Sequence, residues 1–178
     1  NGDALGRIAP GASFSFVTGA YPNQLNGVAI RGGFAFVPST GVSPNGPSRF
    51  DVNVQSLVSA IARTTNTDAG VTKNLQQAVA LQENPERRFV AVPWAIAFEH
   101  AADTGWIASA ASDALVKITI DPATGAPTVR RDPSDPTRVL EIATGKNPRG
   151  LVVDASDTRA YVMNYVSRDV TVIDLTTS

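Results

Sequence analysis

Short apolar runs separated by polar turns dominate the C-terminal third of the chain. Apolar residues concentrate at 150–154, 160–164 and 169–174, and the polar cluster Ser156-Asp157-Thr158 separates the first two runs. Runs of about five residues rich in Val, Ile and Tyr are typical of β-strands and too short for helices. The pattern therefore predicts an antiparallel meander, preceded by a further strand at 139–143.

The same pattern recurs 55 residues earlier in the chain. Shifting the C-terminal block back by that distance places Pro148 on Pro93, and the apolar positions and turns of the two blocks coincide in order. A looser third copy has strands at 27–30 and 34–37. After an insertion at 41–48 it continues with a strand at 50–54. Repeats of four short strands predict an array in which neighbouring sheets stack face to face.

The repeats and their interruptions predict the organisation of the chain. We expect 1–178 to be a segment of one domain, with repeats at 26–62, 93–143 and 148–178 and insertions at 41–48, 63–88 and 126–138. In the second insertion, apolar residues spaced by three and four predict a short helix over 73–81 with Thr72 as its N-cap. Phe14-Ser15-Phe16-Val17 is predicted to be the outer strand of a preceding repeat.

Three motifs of the last repeat resemble a known family. The segment 147–154, Tyr161-Val162-Met163-Asn164 and Val172-Ile173-Asp174 are similar to the YVTN family of β-propeller repeats, with Met163 where the family has Thr. The resemblance implies an all-β fold, a β-propeller with four-stranded antiparallel blades, and an exported protein that is periplasmic or at the cell surface. About three blades are fewer than the four to eight of a closed ring. We therefore expect an incomplete propeller, completed by the remainder of the protein or by another chain.

Composition narrows the classes of function. Fifteen Lys and Arg against 16 Asp and Glu give a formal net charge of −1, which offers no basic field for nucleic acid. No apolar stretch reaches the length of a membrane-spanning helix, about 20 residues. The chain has no Cys, which excludes disulfides, thiolate metal sites and covalent attachment of a c-type haem to this chain.

Histidine and the acidic residues form a first set of candidates, each with a structural explanation beside the functional one. His100, the only histidine, is a general base, a metal ligand or an axial ligand to a haem carried elsewhere, or else a polar residue of a turn. Calcium needs about six to eight oxygens at defined spacing, whereas Asp is common in turns because its side chain bonds the backbone. The acidic candidates are Asp132, Asp135, Asp154, Asp157 and Asp169.

Basic and aromatic residues form a second set. The arginines either contact an anionic partner, such as a haem propionate, or are solvated loop charges. They are Arg87, Arg88, Arg130, Arg131, Arg149 and Arg168. Trp106 is predicted to pack between blades, whereas Trp94 either packs or offers a stacking surface for a ring. Gly145-Lys146 lacks the glycine-rich lead of a phosphate loop.

Two functions remain open at this point. The first is a non-catalytic propeller segment that acts as a scaffold or docking surface in a larger exported protein. The second is the propeller domain of a periplasmic c-type cytochrome or peroxidase-like redox enzyme, because 92–98 and 109–112 loosely resemble propellers joined to di-haem cytochrome c peroxidase-like domains. The haem c of such a protein would be carried outside this chain. No residue is assigned a catalytic, cofactor-binding or metal-binding role, and whether the protein is an enzyme stays open.

Overall fold

Antiparallel β-strands dominate the structure, a computed structural model that describes residues 2–16, 18–83, 85 and 87–177. One 3-10 helix, Leu75–Val79, is the only helix in these ranges, and none is long and apolar enough to cross a membrane. The strands are β1 (Tyr21–Leu25), β2 (Ala29–Arg31), β3 (Phe34–Val42), β4 (Val54–Ala62), β5 (Thr67–Asp68), β6 (Lys73–Asn74), β7 (Pro93–Phe98), β8 (Thr104–Ser109), β9 (Ala114–Ile120), β10 (Pro127–Val129), β11 (Glu141–Ala143), β12 (Pro148–Val153), β13 (Arg159–Asn164) and β14 (Asp169–Asp174).

The strands form three sheets, named here blade 1 (β1–β6), blade 2 (β7–β11) and blade 3 (β12–β14). Blade 2 is a meander in the order β7, β8, β9, and its fourth position is shared by β10 and β11, which both pair with β9. In blade 1, β5 and β6 likewise share one edge of β4, and β1 and β2 share one edge of β3. Within the described residues, blade 3 has the three strands β12, β13 and β14.

The blades stack face to face, with the inner strands β2, β7 and β12 as neighbours. One apolar core, which includes Phe36, Val58 and Ile107, joins blade 1 to blade 2. A second core, which includes Trp106 and Val162, joins blade 2 to blade 3. Sheets stacked in this way around their first strands are blades of a β-propeller. The predicted fold class is confirmed: the chain is all-β and forms an incomplete β-propeller of three blades, with a short helix in the second insertion.

Blades 2 and 3 repeat each other in backbone detail. Each strand of blade 3 begins 55 residues after its counterpart in blade 2, and a bulge follows Pro93 in one and Pro148 in the other. Left-handed backbone angles also recur at this spacing, at Val92 (φ 52°) and Asn147 (φ 56°) before the inner strands. Because non-glycine residues seldom adopt such angles, their recurrence shows that the two blades are copies of one unit.

The helix in the second insertion differs from its predicted form. It spans Leu75–Val79 rather than 73–81, and its N-cap is Asn74, whose side chain accepts a hydrogen bond from the Gln76 amide. The Thr72 hydroxyl instead donates to the Gly11 carbonyl and lies 2.9 Å from the Ser59 hydroxyl. The predicted start of the helix, Lys73, instead pairs with β4 as part of β6.

Four predictions about strands also need correction. In blade 1 the third strand is β4, Val54–Ala62, rather than 50–54, and β3 extends to Val42, inside the predicted insertion at 41–48. In blade 2 the predicted loop 126–138 contains β10. The described residues of the predicted strand 14–17 are not in a strand, and Val17 lies outside the described residues. The nearest pairing is an isolated bridge between Ser13 and Ala20.

Candidate functional site

One face of blade 3 is apolar and exposed, and we call it the outer face. The strand register sets Val152 opposite Tyr161 and Tyr161 opposite Val172, while Met163 lies opposite Val170. Val152 is 59% exposed, and Val170 and Val172 are each 57% exposed. A contiguous apolar patch of this kind marks an interaction surface.

The matched face of blade 2 is buried. Moving each position of the outer face back by 55 residues gives Ala97, Trp106, Ala108, Leu115 and Lys117. Trp106, Ala108 and Leu115 are 0% exposed. They share a core with side chains of blade 3, among them Ala160, Val162 and Ile173. The prediction that Trp106 packs between blades is confirmed.

A charged pair accompanies Trp106 on this buried face. The indole Nε1 donates a hydrogen bond to Glu99 Oε1 (3.1 Å), and Lys117 Nζ lies 3.7 Å from the same oxygen. Lys117 Nζ also lies 4.9 Å from the centre of the indole ring. The polar atoms of this face are therefore satisfied within blade 2, which lets blade 3 cover them.

Asp113 fastens blade 2 to blade 3 at the end of the strands where the β8–β9 turn lies. Its carboxylate accepts a hydrogen bond from the Asn147 amide (2.8 Å) and another from Lys146 Nζ (2.8 Å). The hydrogen bond from Lys146 is the largest cause that holds the pKa of Asp113 below its usual value, and the Asn147 amide acts in the same direction. Asn147 also donates through Nδ2 to the Ala110 carbonyl (3.1 Å), so three hydrogen bonds join the blades here.

Asp157 fastens the same two blades at the opposite end. Its carboxylate accepts hydrogen bonds from the amides of His100 (2.6 Å) and Ala101 (2.7 Å), and His100 Nδ1 lies 2.8 Å from Oδ1. Burial raises the pKa of Asp157, but the hydrogen bonds from these two residues outweigh it, and the pKa lies below its usual value. His100, the candidate base or ligand, thus belongs to a turn that contacts blade 3.

The remaining acidic candidates act within turns. Asp132 and Asp135 each accept a hydrogen bond from the amide and the hydroxyl of the residue two positions later. Asp154 accepts from the Thr158 amide (2.8 Å), and Asp169 Oδ1 from Asn164 Nδ2 (2.6 Å). These are the local bonds expected of turn aspartates. Within the described residues, no group of three or more His, Asp and Glu side chains is arranged to hold a metal ion.

Most of the candidate arginines are engaged by neighbouring groups or lie exposed in loops. Arg88 Nη1 lies 3.0 Å from Glu141 Oε1, and both residues line a cavity of about 450 Å³ between blades 1 and 2. Arg87 stacks on Phe50 with its guanidinium carbon 4.2 Å from the ring centre. Arg131 donates to the carbonyls of Ala78 and Thr137, whereas Arg130 and Arg168 are exposed.

Trp94 and Arg149, which occupy matched positions on β7 and β12, meet across the blade boundary. The guanidinium carbon of Arg149 lies 4.2 Å from the centre of the Trp94 ring and 4.1 Å from that of Tyr165. Arg149 Nε donates a hydrogen bond to Asn147 Oδ1 (2.7 Å). The guanidinium therefore contacts two aromatic rings and is hydrogen-bonded through Nε.

Sequence reasoning missed two residues that join the blades, Asp113 and Asn147. Asp113 belongs to no motif and Asn147 is only the first residue of the segment 147–154, but the repeat offset contains a signal for both. Asp113 and Arg168 occupy matched turn positions with left-handed angles (φ 54° and 60°). Sequence comparison of the repeats can find this pattern, in which an acidic residue lies in a turn of one repeat and Lys146-Asn147 precedes the inner strand of the next.

Comparison with known proteins supports the fold. No protein-family model matches the chain, and no curated protein sequence matches it. Among solved structures, hydrazine synthase of Kuenenia stuttgartiensis is similar, with a TM-score of 0.63 and 15% sequence identity over 86% of this chain and 46% of that chain. The chain thus spans about half the length of that protein. At this identity the likeness concerns the fold alone, and it does not show membership of the YVTN family.

A second structure is less similar. A candidate 6-phosphogluconolactonase from Bacteroides fragilis has a TM-score of 0.30 and 8% identity over 83% of this chain and 65% of that chain. A TM-score this low carries no argument about fold or function.

Proposed function

We propose that this chain is a non-catalytic part of a larger exported β-propeller protein, and that the outer face of blade 3 docks a further blade. The observation that carries the proposal is the matched pair of faces. Blade 2 buries Trp106, Ala108 and Leu115 against its neighbour, whereas blade 3 exposes the same positions. Burying apolar surface is the main favourable term in such packing, at about 25 cal/mol per Å².

The blade 2–blade 3 contact indicates the chemistry of the missing partner. Blade 3 presents small and branched aliphatic side chains, Ala160, Val162 and Ile173, to the face of blade 2. The expected partner is therefore a sheet that presents a similar aliphatic face to Tyr161 and Met163. A blade of the same repeat family meets this requirement, and its source is either the same polypeptide or another chain.

Resemblance supports the finer parts of this proposal. The segment Tyr161–Asn164 lies on the second strand of blade 3, and Val172–Asp174 ends the third, which are the positions of these motifs in YVTN repeats. We extend the proposal to membership of that repeat family and to a periplasmic or cell-surface location, both of which rest on these motifs.

The absence of Cys from the chain allows a direct test by labelling. Val172→Cys probes the outer face, and Thr128→Cys, at the exposed position of β10, is the matched control. In the full-length protein we expect maleimide to label Val172→Cys at least about tenfold more slowly than Thr128→Cys, because a docked blade excludes the reagent. Mass spectrometry of the labelled peptides measures the two rates. Equal rates in the full-length protein would contradict the proposal.

The alternative is that the propeller belongs to a periplasmic c-type cytochrome or peroxidase-like enzyme. It is supported only by the loose resemblance at 92–98 and 109–112. The residues of this chain do not fit a covalently bound haem, because there is no Cys, and the only histidine contacts Asp157. The test is the absorption spectrum of the native full-length protein: a Soret band favours this alternative, and a colourless protein contradicts it.

A further inference from the structure

Arg149 is held in a fixed orientation where blades 2 and 3 meet. Its guanidinium carbon lies 4.2 Å from the centre of the Trp94 ring and 4.1 Å from that of Tyr165, while Nε donates to Asn147 Oδ1. Asn147 is itself fixed, because its amide donates to Asp113 and its side chain to the Ala110 carbonyl. The side chain has therefore lost most of its rotamer freedom in the folded protein.

The terminal nitrogens of Arg149 are unused by the described residues. No ion pair and no hydrogen bond within the described part of the chain involves Nη1 or Nη2, and neither is among the buried polar atoms that lack a partner. Both nitrogens therefore reach solvent. The Nη1 and Nη2 edge carries N–H groups in a planar fork, which matches the two oxygens of a carboxylate.

The other stacked cations among the described residues differ in this respect. Arg49 Nη2 lies 3.1 Å from Asp51, Arg87 Nη2 donates to the Gln82 carbonyl (2.9 Å), and Lys117 Nζ lies 3.7 Å from Glu99. Each of these three contacts one ring, whereas Arg149 contacts two. Among these stacked cations, Arg149 is thus the one that contacts two rings while its terminal nitrogens are unused by the described residues.

We propose that Arg149 is the recognition residue of a binding site for a small carboxylate carried on an apolar body. The fork of Nη1 and Nη2 binds the carboxylate in a bidentate manner. The rings of Trp94 and Tyr165, the latter 57% exposed, lie beside it and contact the apolar part of the ligand. A pre-oriented guanidinium binds more tightly than a mobile one because little further side-chain entropy is lost.

Titration of the full-length protein with sodium benzoate tests this site, with sodium acetate as the ligand without a ring and sodium chloride at equal ionic strength as the blank. Tryptophan fluorescence reports binding through the part of the change that Trp94→Phe abolishes, because Trp94 lies in the site. We expect a saturable change for benzoate and weaker binding for acetate. Arg149→Gln should lower the benzoate affinity by about tenfold or more, since charge-assisted hydrogen bonds are lost.

Two further variants test whether binding of the carboxylate needs the guanidinium of Arg149 rather than only a positive charge or a stable fold. Arg149→Lys keeps the charge but loses the fork, and its affinity should lie between those of the wild type and Arg149→Gln. Arg168→Gln, which removes an exposed arginine of the β13–β14 turn, should bind like the wild type. The inference is wrong if the wild type responds to benzoate only as it does to chloride, or if Arg149→Gln and Arg149→Lys both bind as the wild type does. Neither result affects the labelling test of the outer face.

Discussion

The first three strands of blade 2 and the three strands of blade 3 share one backbone pattern but differ in what one face of the sheet contacts. Trp106 and Tyr161 occupy matched positions on their second strands, yet Trp106 is 0% exposed and Tyr161 36%. The local sequence of each strand is compatible with burial in both cases. What differs is the neighbour, since blade 3 covers the face of blade 2 and none of the described residues forms a blade over the outer face of blade 3.

The composition of the two faces makes the contrast sharper. The buried face contains the charged Lys117, which needs Glu99 as its partner, whereas the exposed face has Val172 at the matched position. The face that is exposed is thus the more apolar of the two. Because large exposed apolar patches are uncommon in isolated soluble proteins, this inversion favours a docked partner on blade 3.

The largest expected effect comes from truncating the two matched aromatic residues. In the 178-residue chain, Trp106→Ala should lower the free energy of unfolding by about 3–5 kcal/mol, because it empties a packed core. Tyr161→Ala should change it by about 0.5 kcal/mol, as is usual for exposed positions. Urea unfolding followed by circular dichroism measures both. Similar losses for the two variants would show that the faces are not distinct in the way the structure indicates.

A smaller effect is expected from the carboxylates that join the two blades. The pKa values of Asp113 and Asp157 lie below their usual value, so these groups stabilise the folded protein fully above the ordinary carboxyl pKa of about 3.9. Their contribution is lost as the pH falls through the lower pKa of the folded state, because the unfolded chain then binds more protons. Melting temperatures measured between pH 6 and pH 3 should therefore fall less steeply for Asp113→Asn and Asp157→Asn than for the wild type.

The matched control for this pH series is Asp3→Asn, since Asp3 lies in the exposed N-terminal segment. It should melt with the pH dependence of the wild type. If Asp113→Asn and Asp157→Asn also keep that dependence, the two aspartates do not contribute to acid sensitivity. The contact between blades 2 and 3 would then depend on their apolar faces and not on these two carboxylates.

Periodicity explains why some elements were predictable and others were not. The strands of blades 2 and 3 alternate in polarity or are short and β-branched, so local sequence indicates them well. In blade 1, β3 and β4 are buried on both faces and include the buried polar residues Ser39, Gln55 and Ser59. Their sequences therefore lack the alternation of a half-exposed strand. This is why both the third strand and the insertion before it were predicted too early, since the segment between β3 and β4 spans 43–53 rather than 41–48.

The candidate site residues were likewise predictable only where a local sequence pattern marked them. The sequence marked Arg149 and Trp94 at matched positions of two repeats, but not that they contact each other. The clamp also needs Tyr165, which follows the second strand of blade 3 and belongs to neither inner strand. Such contacts depend on how one blade is placed on the next, and no local pattern encodes that placement.

The amino-acid sequence alone determined the all-β class, the 55-residue repeat and the three matched strands of blades 2 and 3, because alternation and turn residues act over a few positions. Only the tertiary structure decided which copy of a repeated face is buried and which is exposed. It also decided how Asp113 and Asp157 join two blades and how Arg149 is clamped. The physical reason is that burial and side-chain contact depend on the neighbouring sheet, and identical positions in two repeats have different neighbours.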